Sequence, residues 1–238
     1  MTMNIVQACG VVAKNRGDAL IVCTMLSMFI FDRIEGEDGK ARMIPLIGGK
    51  VGLVLGFAAS KIKSMLSASG DPVVANGRIS SVPLMGGAAG LGLGLALAQP
   101  QRRVIVVDGD ASLLMELGGL ATVTAVQPRN LLHVVIHNGT QFTGLANFPI
   151  QTKDFQFAEV ARKAGYVHAE RISDASVWAQ RFASLMAMDG PVFVELMVDP
   201  VPQQTRDGFE QTEMPDRQFD RMAHEALALQ TMLAREVA

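Results

Sequence analysis

The sequence from Val104 to Gly144 reads VIVVDGDASLLMELGGLATVTAVQPRNLLHVVIHNGTQFTG. Its first four residues, Val104 to Val107, form an uninterrupted β-branched run, which predicts a strand buried on both faces. The next five, Asp108 to Ser112, are typical of a turn. A second apolar run, Leu131 to Ile136, predicts another buried strand, and it ends in the polar segment 137–140. Both predicted strands therefore end in groups that can bind a ligand.

The segment between these strands has the spacing of an amphipathic helix. Pro128 ends this helix, and a strand–helix–strand unit of this length makes its two strands parallel. We therefore predict an α/β protein of three layers, α/β/α, with a central and mostly parallel sheet. The residues on the buried face of the helix are Leu113, Leu117, Leu120 and Thr124, with Met115 and Ala121 widening the apolar stripe.

The pattern of the remaining sequence predicts further helices and strands, and it shows no linker that would divide the chain into separate domains. We expect a single domain over residues 1–238, with an insert at about 35–78 and a C-terminal helical tail at about 205–238. Within the insert, residues 45–59 match residues 83–97 at nine of fifteen positions, by local duplication or by chance convergence of Gly/Leu-rich helices. The predicted elements are helices at 3–16, 88–98, 155–165, 175–188 and 219–237 and buried strands at 20–24 and 191–198.

Composition excludes several classes of function. The 238 residues are 49% hydrophobic and 18% charged with a net charge of −2, which indicates a globular core and no electrostatic footprint for nucleic acid or an anionic membrane. Cys9 and Cys23 lack metal-binding spacing and indicate buried thiols in a cytoplasmic protein. The apolar run Ala19–Phe31 predicts a core element rather than a signal peptide, because Asp18 precedes it and no small-residue cleavage site follows.

Two polar residues lie where a parallel sheet binds ligands. Asp110 follows the first buried strand and Asn138 follows the second, and the carboxyl ends of parallel strands meet at one edge. A carboxylate, an amide oxygen and a nearby carbonyl are hard ligands that suit Mg²⁺, which completes its shell with phosphates and water. The amides of residues 111–113 at the helix start can receive phosphate oxygens. The residues alone predict a magnesium-bridged diphosphate site.

The motif of Gly109-Asp110-Ala111, followed about thirty residues later by His137-Asn138, resembles the thiamine diphosphate motif of the thiamine-dependent 2-oxo acid enzymes. Ala111 stands in place of the usual Gly, and His137 in place of a first Asn that usually supports the loop. Within that superfamily the chain is most similar to the sulfopyruvate decarboxylase β subunit and the matching part of phosphonopyruvate decarboxylase. The segments that carry this likeness are 95–100, 108–112, 130–131, 157–166 and 190–196.

The resemblance implies roles for particular residues. Asp110, the Asn138 side chain and the Thr140 carbonyl would be the Mg²⁺ ligands. Met85 would hold thiamine diphosphate in its bent conformation, although core filling also explains it, and Pro83-Leu84 replaces the usual Gly-Ser before it. The loop from Gly139 to Ile150 would be a candidate substrate loop. The full set of implied cofactor-binding residues is Met85, Gly86, Gly87, Gly109, Asp110, Ala111, Ser112, Asn138, Thr140, Gln141 and Phe142.

The resemblance also implies a thiamine diphosphate-dependent lyase that is one subunit of a complex. In that family a Glu from a separate pyrimidine-binding module acts on the cofactor. This chain has room for one module, and Glu195, which interrupts the third strand, does not suggest that role. We therefore expect no catalytic residue here, a separate pyrimidine-binding subunit, a small 2-oxo acid substrate, and a homo- or hetero-oligomer.

Two other interpretations stay open. The chain could be a non-catalytic module that binds thiamine diphosphate or a nucleotide. A dinucleotide-binding Rossmann domain is weaker, because Gly90, Gly92 and Gly94 do not follow the GxGxxG spacing. His133 lies inside a predicted strand and is interpreted as structural. Tyr166, His168 and His224 have no neighbour in sequence that suggests a role.

Overall fold

A computed structural model describes residues 3–35, 77–82, 84–142, 147–150, 154–200 and 218–237. The helices in these residues are α1 (Ile5–Asn15), α2 (Met25–Glu35), α3 (Ala88–Ala98), α4 (Asp110–Met115), α5 (Gly119–Val126), α6 (Phe157–Ala164), α7 (Ala175–Ala187) and α8 (Gln218–Val237). The strands are β1 (Leu20–Cys23), β2 (Arg78–Ser80), β3 (Val104–Gly109), β4 (Leu131–His137), β5 (Thr140–Phe142), β6 (Asn147–Pro149), β7 (His168–Ile172) and β8 (Val192–Met197).

Six of these strands form one parallel sheet in the order β2-β1-β3-β4-β8-β7. The sheet grows outward in one direction from β1 to β2 and in the other direction from β1 to β3. A crevice opens at such a switch point, outside the carboxyl ends of the strands. Strands β5 and β6 form a separate antiparallel hairpin directly after β4. The predicted α/β class with a mostly parallel sheet is confirmed.

Helices cover both faces of the sheet because its central strands are apolar on both sides. Along β3, Ile105 and Val107 pack into one core, and Val104 and Val106 pack into the other. Residues of α1, α2 and α7 fill the first core, and residues of α3, α4, α5, α6 and α8 fill the second. The three predicted layers are therefore present.

The unit that decides the fold departs from the prediction in two places. Asp108 and Gly109 extend β3 instead of starting a turn, and α4 begins at Asp110. The single predicted helix is two helices, because the chain leaves helical geometry at Glu116 and continues through glycines, which are poor helix formers. This break changes the phase of the pattern. Met115 and Ala121 are exposed, so their predicted place on the apolar stripe is wrong.

Most other predicted elements are confirmed to within two or three residues, but the strands β2, β5, β6 and β7 were not predicted. Strand β7 lies at the edge of the sheet, where only Ala169 and Ile172 are buried, so its sequence HAERI lacks the apolar run of the central strands. Most of the predicted insert, including residues 45–59, lies outside the described residues, as does the tail from 201 to 217.

The C-terminal helix α8 covers the outer edge of β2. The Glu225 carboxylate accepts hydrogen bonds from the Ser80 backbone N–H at 2.6 Å and from the Ser80 hydroxyl at 2.7 Å. Arg221 on the same helix pairs with Asp32 of α2 at 2.9 Å, and Asp32 also accepts from Arg78. The Ser80 N–H of the edge strand β2 therefore has a hydrogen-bond partner within the chain and is not available to pair with a strand of another chain.

The two cysteines are free thiols in the core, as predicted. Burial raises the pKa of the Cys23 thiol to about 12, and it also raises the pKa of Cys9. Neither thiol is therefore reactive at neutral pH. Among the described helices, none is both long enough and apolar enough to cross a membrane.

Two glycines of α3 give a matched pair of stability tests. A Cβ added at Gly92 would lie 2.2 Å from Cγ2 of Val106, whereas a Cβ at Gly94 would meet nothing within 4 Å. We expect Gly92→Ala to destabilise the fold by about 1 to 3 kcal/mol, because the helix must move away from β3. We expect Gly94→Ala to stabilise it by about 0.5 to 1 kcal/mol through helix propensity. Urea unfolding of both variants measures this, and equal effects would contradict the packing of α3 on β3.

Candidate functional site

The candidate residues lie at the carboxyl edge of the sheet, beside the switch point between β1 and β3. Asp110 follows β3 directly, Asn138 follows β4 directly, and Met85 lies in the segment that follows β2. The Gly86 backbone N–H donates to Ser112 Oγ at 3.1 Å, so the segment after β2 is joined to α4. The structure thus brings three sequence segments to one edge of the sheet.

Asp110 joins the ends of the two central strands. Its side chain is 2% exposed, with Oδ1 accepting from the Ala111 N–H at 2.9 Å and Oδ2 accepting from the Gly139 N–H at 2.8 Å. Burial raises the pKa of Asp110, and the hydrogen bonds from Gly139 and Ala111 and the nearby His137 act against that rise. A carboxylate oxygen can accept more than one hydrogen bond, so each oxygen keeps capacity for a further partner.

Asn138 shapes the turn that follows β4. Its side-chain Oδ1 accepts from both the backbone N–H and the hydroxyl of Thr140, each at 2.9 Å. Both acceptor positions of this amide oxygen are therefore used. The Thr140 hydroxyl can rotate away whereas the backbone N–H cannot, so Asn138 can offer one position to a ligand.

The segment carrying Met85 lies against α4. Gly86 has φ +86°, and a Cβ added there would lie 2.8 Å from Cβ of Glu116. Position 86 therefore requires glycine, because a side chain would clash with Glu116 and would be strained in this left-handed backbone conformation. Met85 is 53% exposed and neighbouring Leu84 is 50% exposed. The alternative that Met85 fills the core is therefore wrong.

A buried pair that the sequence did not predict lies directly behind Asp110. His137 Nδ1 is 2.7 Å from Glu195 Oε1, and His137 Nε2 is 3.8 Å from Asp110 Oδ2. Both residues are almost completely buried. A carboxylate within an apolar strand must find a partner, so the sequence could have indicated that Glu195 has a buried partner, but not that this partner is His137.

A second polar chain lies deeper on the same face of the sheet. His133 Nδ1 is 3.1 Å from the Tyr166 hydroxyl, and its Nε2 is 3.7 Å from Asp108 Oδ2. Burial raises the pKa of Tyr166, and the Asp108 carboxylate acts in the same direction. His133 therefore lies in the core, and its partners are distant in sequence.

The structure gives fewer contacts for the other predicted site residues. The Ala111 amide already donates to Asp110, which leaves Ser112 and Leu113 as the predicted phosphate donors of α4. Gln141 is half-buried in the β5–β6 hairpin, whereas the Phe142 side chain lies outside the described part of the structure. The edge as a whole offers a carboxylate, an amide oxygen and backbone groups.

An open parallel sheet with helices on both faces and polar groups at its switch point defines a ligand-binding domain of the doubly wound α/β class. Residues 75–196, about half of the chain, match the family described as thiamine pyrophosphate enzyme, C-terminal TPP binding domain. The chain belongs to this family.

Two curated relatives are decarboxylases. The phosphonopyruvate decarboxylase of Streptomyces viridochromogenes is 40% identical over 99 residues, which are 42% of this chain and 25% of that one. The sulfopyruvate decarboxylase subunit beta of Methanothermobacter thermautotrophicus is 39% identical over 106 residues, which are 42% of this chain and 51% of that one. The similarity thus spans a quarter to a half of each relative.

Solved structures share the fold. A candidate thiamin diphosphate-dependent enzyme from Mycobacterium smegmatis superposes with a TM-score of 0.58 at 14% identity, over 84% of this chain and 32% of the other. The thiamine diphosphate-dependent 4-hydroxybenzoylformate decarboxylase of Rhodococcus jostii RHA1 superposes with a TM-score of 0.54 at 15% identity, over 84% and 33%. At these identities the likeness supports the fold alone.

The raised pKa of Asp110 predicts a pH dependence of stability in the metal-free chain. Since the native state holds this proton more tightly than the unfolded state, its contribution to stability falls as pH rises through the interval above the ordinary carboxyl pKa. Urea unfolding in EDTA between about pH 4 and 7 should show this fall in the wild type and a flatter profile in Asp110→Asn. Identical slopes in the two proteins would show that Asp110 keeps an ordinary pKa.

Proposed function

We propose that this chain is the thiamine diphosphate- and Mg²⁺-binding subunit of a 2-oxo acid decarboxylase similar to sulfopyruvate decarboxylase. One observation carries the proposal. In a chain of the TPP-binding family, the buried Asp110 carboxylate links the ends of β3 and β4 beside Asn138, and both residues lie in the segment that resembles the thiamine diphosphate motif.

The residues present fit a magnesium ion. Asp110, the Asn138 amide oxygen and the Thr140 carbonyl form a set of hard oxygen ligands, as Mg²⁺ requires. Asp110 keeps acceptor capacity on both oxygens, and rotation of the Thr140 hydroxyl frees one position on Asn138. Within the described residues no group of three His, Cys, Asp or Glu side chains could hold a metal, so the proposed site depends on an amide and a backbone carbonyl.

The chain's own residues would bind and orient the cofactor. When bound, thiamine diphosphate supplies the electron sink for loss of CO₂ from a 2-oxo acid. Asp110 and Asn138 would hold the cation on the diphosphate, and the amides of Ser112 and Leu113 would add donors at the start of α4. Exposed Met85 would support the ring system. Gly86 and Gly87 would let the backbone approach it, and Gly109, Gln141 and Phe142 would line the remaining contacts.

A second subunit would complete the site. The relatives named subunit beta imply a partner in their own complexes, and this chain aligns with 51% of one of them. We infer a single module over residues 1–238 and a separate pyrimidine-binding subunit that supplies the catalytic Glu. Leu84, Met85 and Met115 leave apolar surface exposed at this edge, which a partner would cover. The assembly would be an oligomer that acts on a small 2-oxo acid.

Two observations favour a second function, that of a non-catalytic module binding thiamine diphosphate or a nucleotide. Thr140 already uses both acceptor positions of the Asn138 amide oxygen, and His137 and Ala111 depart from the usual motif. Such a module would bind its ligand and give no turnover with any partner subunit.

Calorimetric titration of the purified chain with thiamine diphosphate tests the proposal. We expect binding that requires Mg²⁺ and that weakens by about 100-fold or more in Asp110→Ala, because the carboxylate ligand is lost. Asp189→Asn is the matched control, since it changes an exposed carboxylate that precedes β8 at the opposite edge of the sheet. Equal loss in both variants would point to misfolding.

If the wild type does not bind alone, the titration is repeated with a co-expressed pyrimidine-domain subunit. Binding and 2-oxo acid turnover in the complex would support the half-site. Binding without turnover would favour the non-catalytic module, and no binding in either sample would overturn both.

A pair of substitutions tests whether Thr140 acts through its carbonyl. Thr140→Val removes the hydroxyl that donates to Asn138 Oδ1 but keeps the carbonyl and the side-chain shape. We expect Mg²⁺ affinity in the presence of thiamine diphosphate to be equal to that of the wild type or tighter, because one acceptor position of Asn138 is released. Asn138→Ala should lose Mg²⁺ binding. A loss in Thr140→Val would show that the hydroxyl is the ligand.

A further inference from the structure

A buried histidine–glutamate pair stands between the candidate metal ligand and the core. Glu195 of β8 is fully buried, and its Oε1 lies 2.7 Å from Nδ1 of His137 on the neighbouring strand β4. On the other side of the imidazole, His137 Nε2 lies 3.8 Å from Oδ2 of Asp110. The imidazole thus spans the space between two buried carboxylates.

Glu195 is fixed from several directions. Its Oε2 accepts from the Ala158 N–H at 3.0 Å, which lies in the first turn of α6, where the helix dipole favours negative charge. Arg171 Nε of β7 lies 3.4 Å from its Oε1. These contacts offset the cost of burying the carboxylate and leave it little freedom to move.

The imidazole is fixed in turn. The hydrogen bond to Glu195 places the Nδ1 proton on the side away from Asp110, since a carboxylate can only accept. Phe157 of α6 packs edge to face against the ring, with the centroids 5.1 Å apart and the planes at 89°. The ring can therefore neither rotate nor slide without losing a contact.

This arrangement acts on one particular atom of the candidate site. Oδ2 of Asp110 meets both the His137 ring and the Gly139 N–H, whereas Oδ1 accepts from the adjacent Ala111 N–H. At 3.8 Å the contact with His137 is too long for a hydrogen bond, so the ring acts by packing and electrostatics. Its effect is to hold the carboxylate in a single orientation.

We propose that His137, held in place by Glu195, is a positioning residue that orients the Asp110 carboxylate for the cation. The inference rests on the proposed function, since it assigns the support of the same metal site. It gives His137 a role that differs from loop support, the usual role of the Asn at this motif position. Residues that orient a metal ligand typically change metal affinity by about 10- to 100-fold when they are replaced.

Two substitutions separate positioning from stability. In His137→Asn the amide lies where Nδ1 lay, so Glu195 keeps a donor while Asp110 loses its neighbour. In His137→Gln the amide reaches the position of Nε2, so Asp110 keeps a neighbour while Glu195 loses its donor. His168→Asn is the matched control, because it alters an imidazole 3.6 Å from a Glu170 oxygen at the opposite edge of the sheet.

We expect His137→Asn to affect mainly Mg²⁺ affinity and His137→Gln to affect mainly stability. In calorimetric titration of Mg²⁺ into the chain in the presence of excess thiamine diphosphate, His137→Asn should weaken Mg²⁺ binding by about 10- to 100-fold, with an unfolding midpoint near that of the wild type. His137→Gln should unfold earlier and lose less affinity, and His168→Asn should change neither. Wild-type affinity in His137→Asn would reduce His137 to loop support and overturn the inference.

A second measurement needs no ligand. In a double-mutant cycle on the ligand-free chain, Asp110→Asn and His137→Asn should be non-additive, with unfolding equilibrium constants departing from the product of the single changes by about threefold or more. Additivity would overturn the inference whatever the chain binds. If neither the wild type alone nor its complex with a pyrimidine-domain subunit binds Mg²⁺–thiamine diphosphate while the cycle shows coupling, the proposed function fails, and orientation of Asp110 by His137 stands on the cycle alone.

Discussion

The candidate site depends on the hydrogen bond from the Gly139 N–H to Oδ2 of Asp110. It joins the start of α4, directly after β3, to the turn after β4 at 2.8 Å, and it is possible because these strands end together, with Gly109 opposite Ile136 in the register. A carboxylate removed from water to this extent is costly unless donors surround it. The amides of Gly139 and Ala111 supply that compensation, so the start of α4 and the turn after β4 are organised around one side chain.

Polar side chains replace the apolar core as the central strands approach this edge. On one face of β3, β4 and β8, Asp108 and His133 form a buried pair, and Asp110, His137 and Glu195 form a buried cluster closer to the carboxyl ends. A polar network inside a protein is stable only when most of its members have partners, and it then fixes geometry more tightly than apolar packing does. The same strands are apolar nearer their amino ends, where Val104 and Leu131 support the fold. The sheet therefore combines a stabilising half with a half that sets the geometry of the site.

The central part of the fold could be predicted from the sequence because strands that are buried on both faces have uninterrupted apolar sequences. Strand β7 was missed, since its exposed side interrupts such a sequence, and the break between α4 and α5 was missed, since the apolar spacing continued across two glycines. Asp110 and Asn138 could be placed at one edge because parallel strands end on the same side. The contact between His137 and Glu195 could not, since these residues are 58 positions apart and meet only because β8 lies beside β4. Strand order is set by tertiary packing, which a single sequence does not state.

The part of the candidate site around Asp110 and the part around Met85 differ in how much of each is enclosed by this chain. At the end of Asp110, every described contact is internal: the carboxylate is buried, its donors are backbone amides, and His137 stands behind it. At the end of Met85, the side chains of Leu84 and Met85 are about half exposed to solvent. A cation and a diphosphate need groups held rigidly in place, whereas an apolar ring needs an enclosed surface. The proposal of a site shared between subunits is consistent with this division, because a rigid first end would hold the charged part of a ligand while another surface would close over the rest.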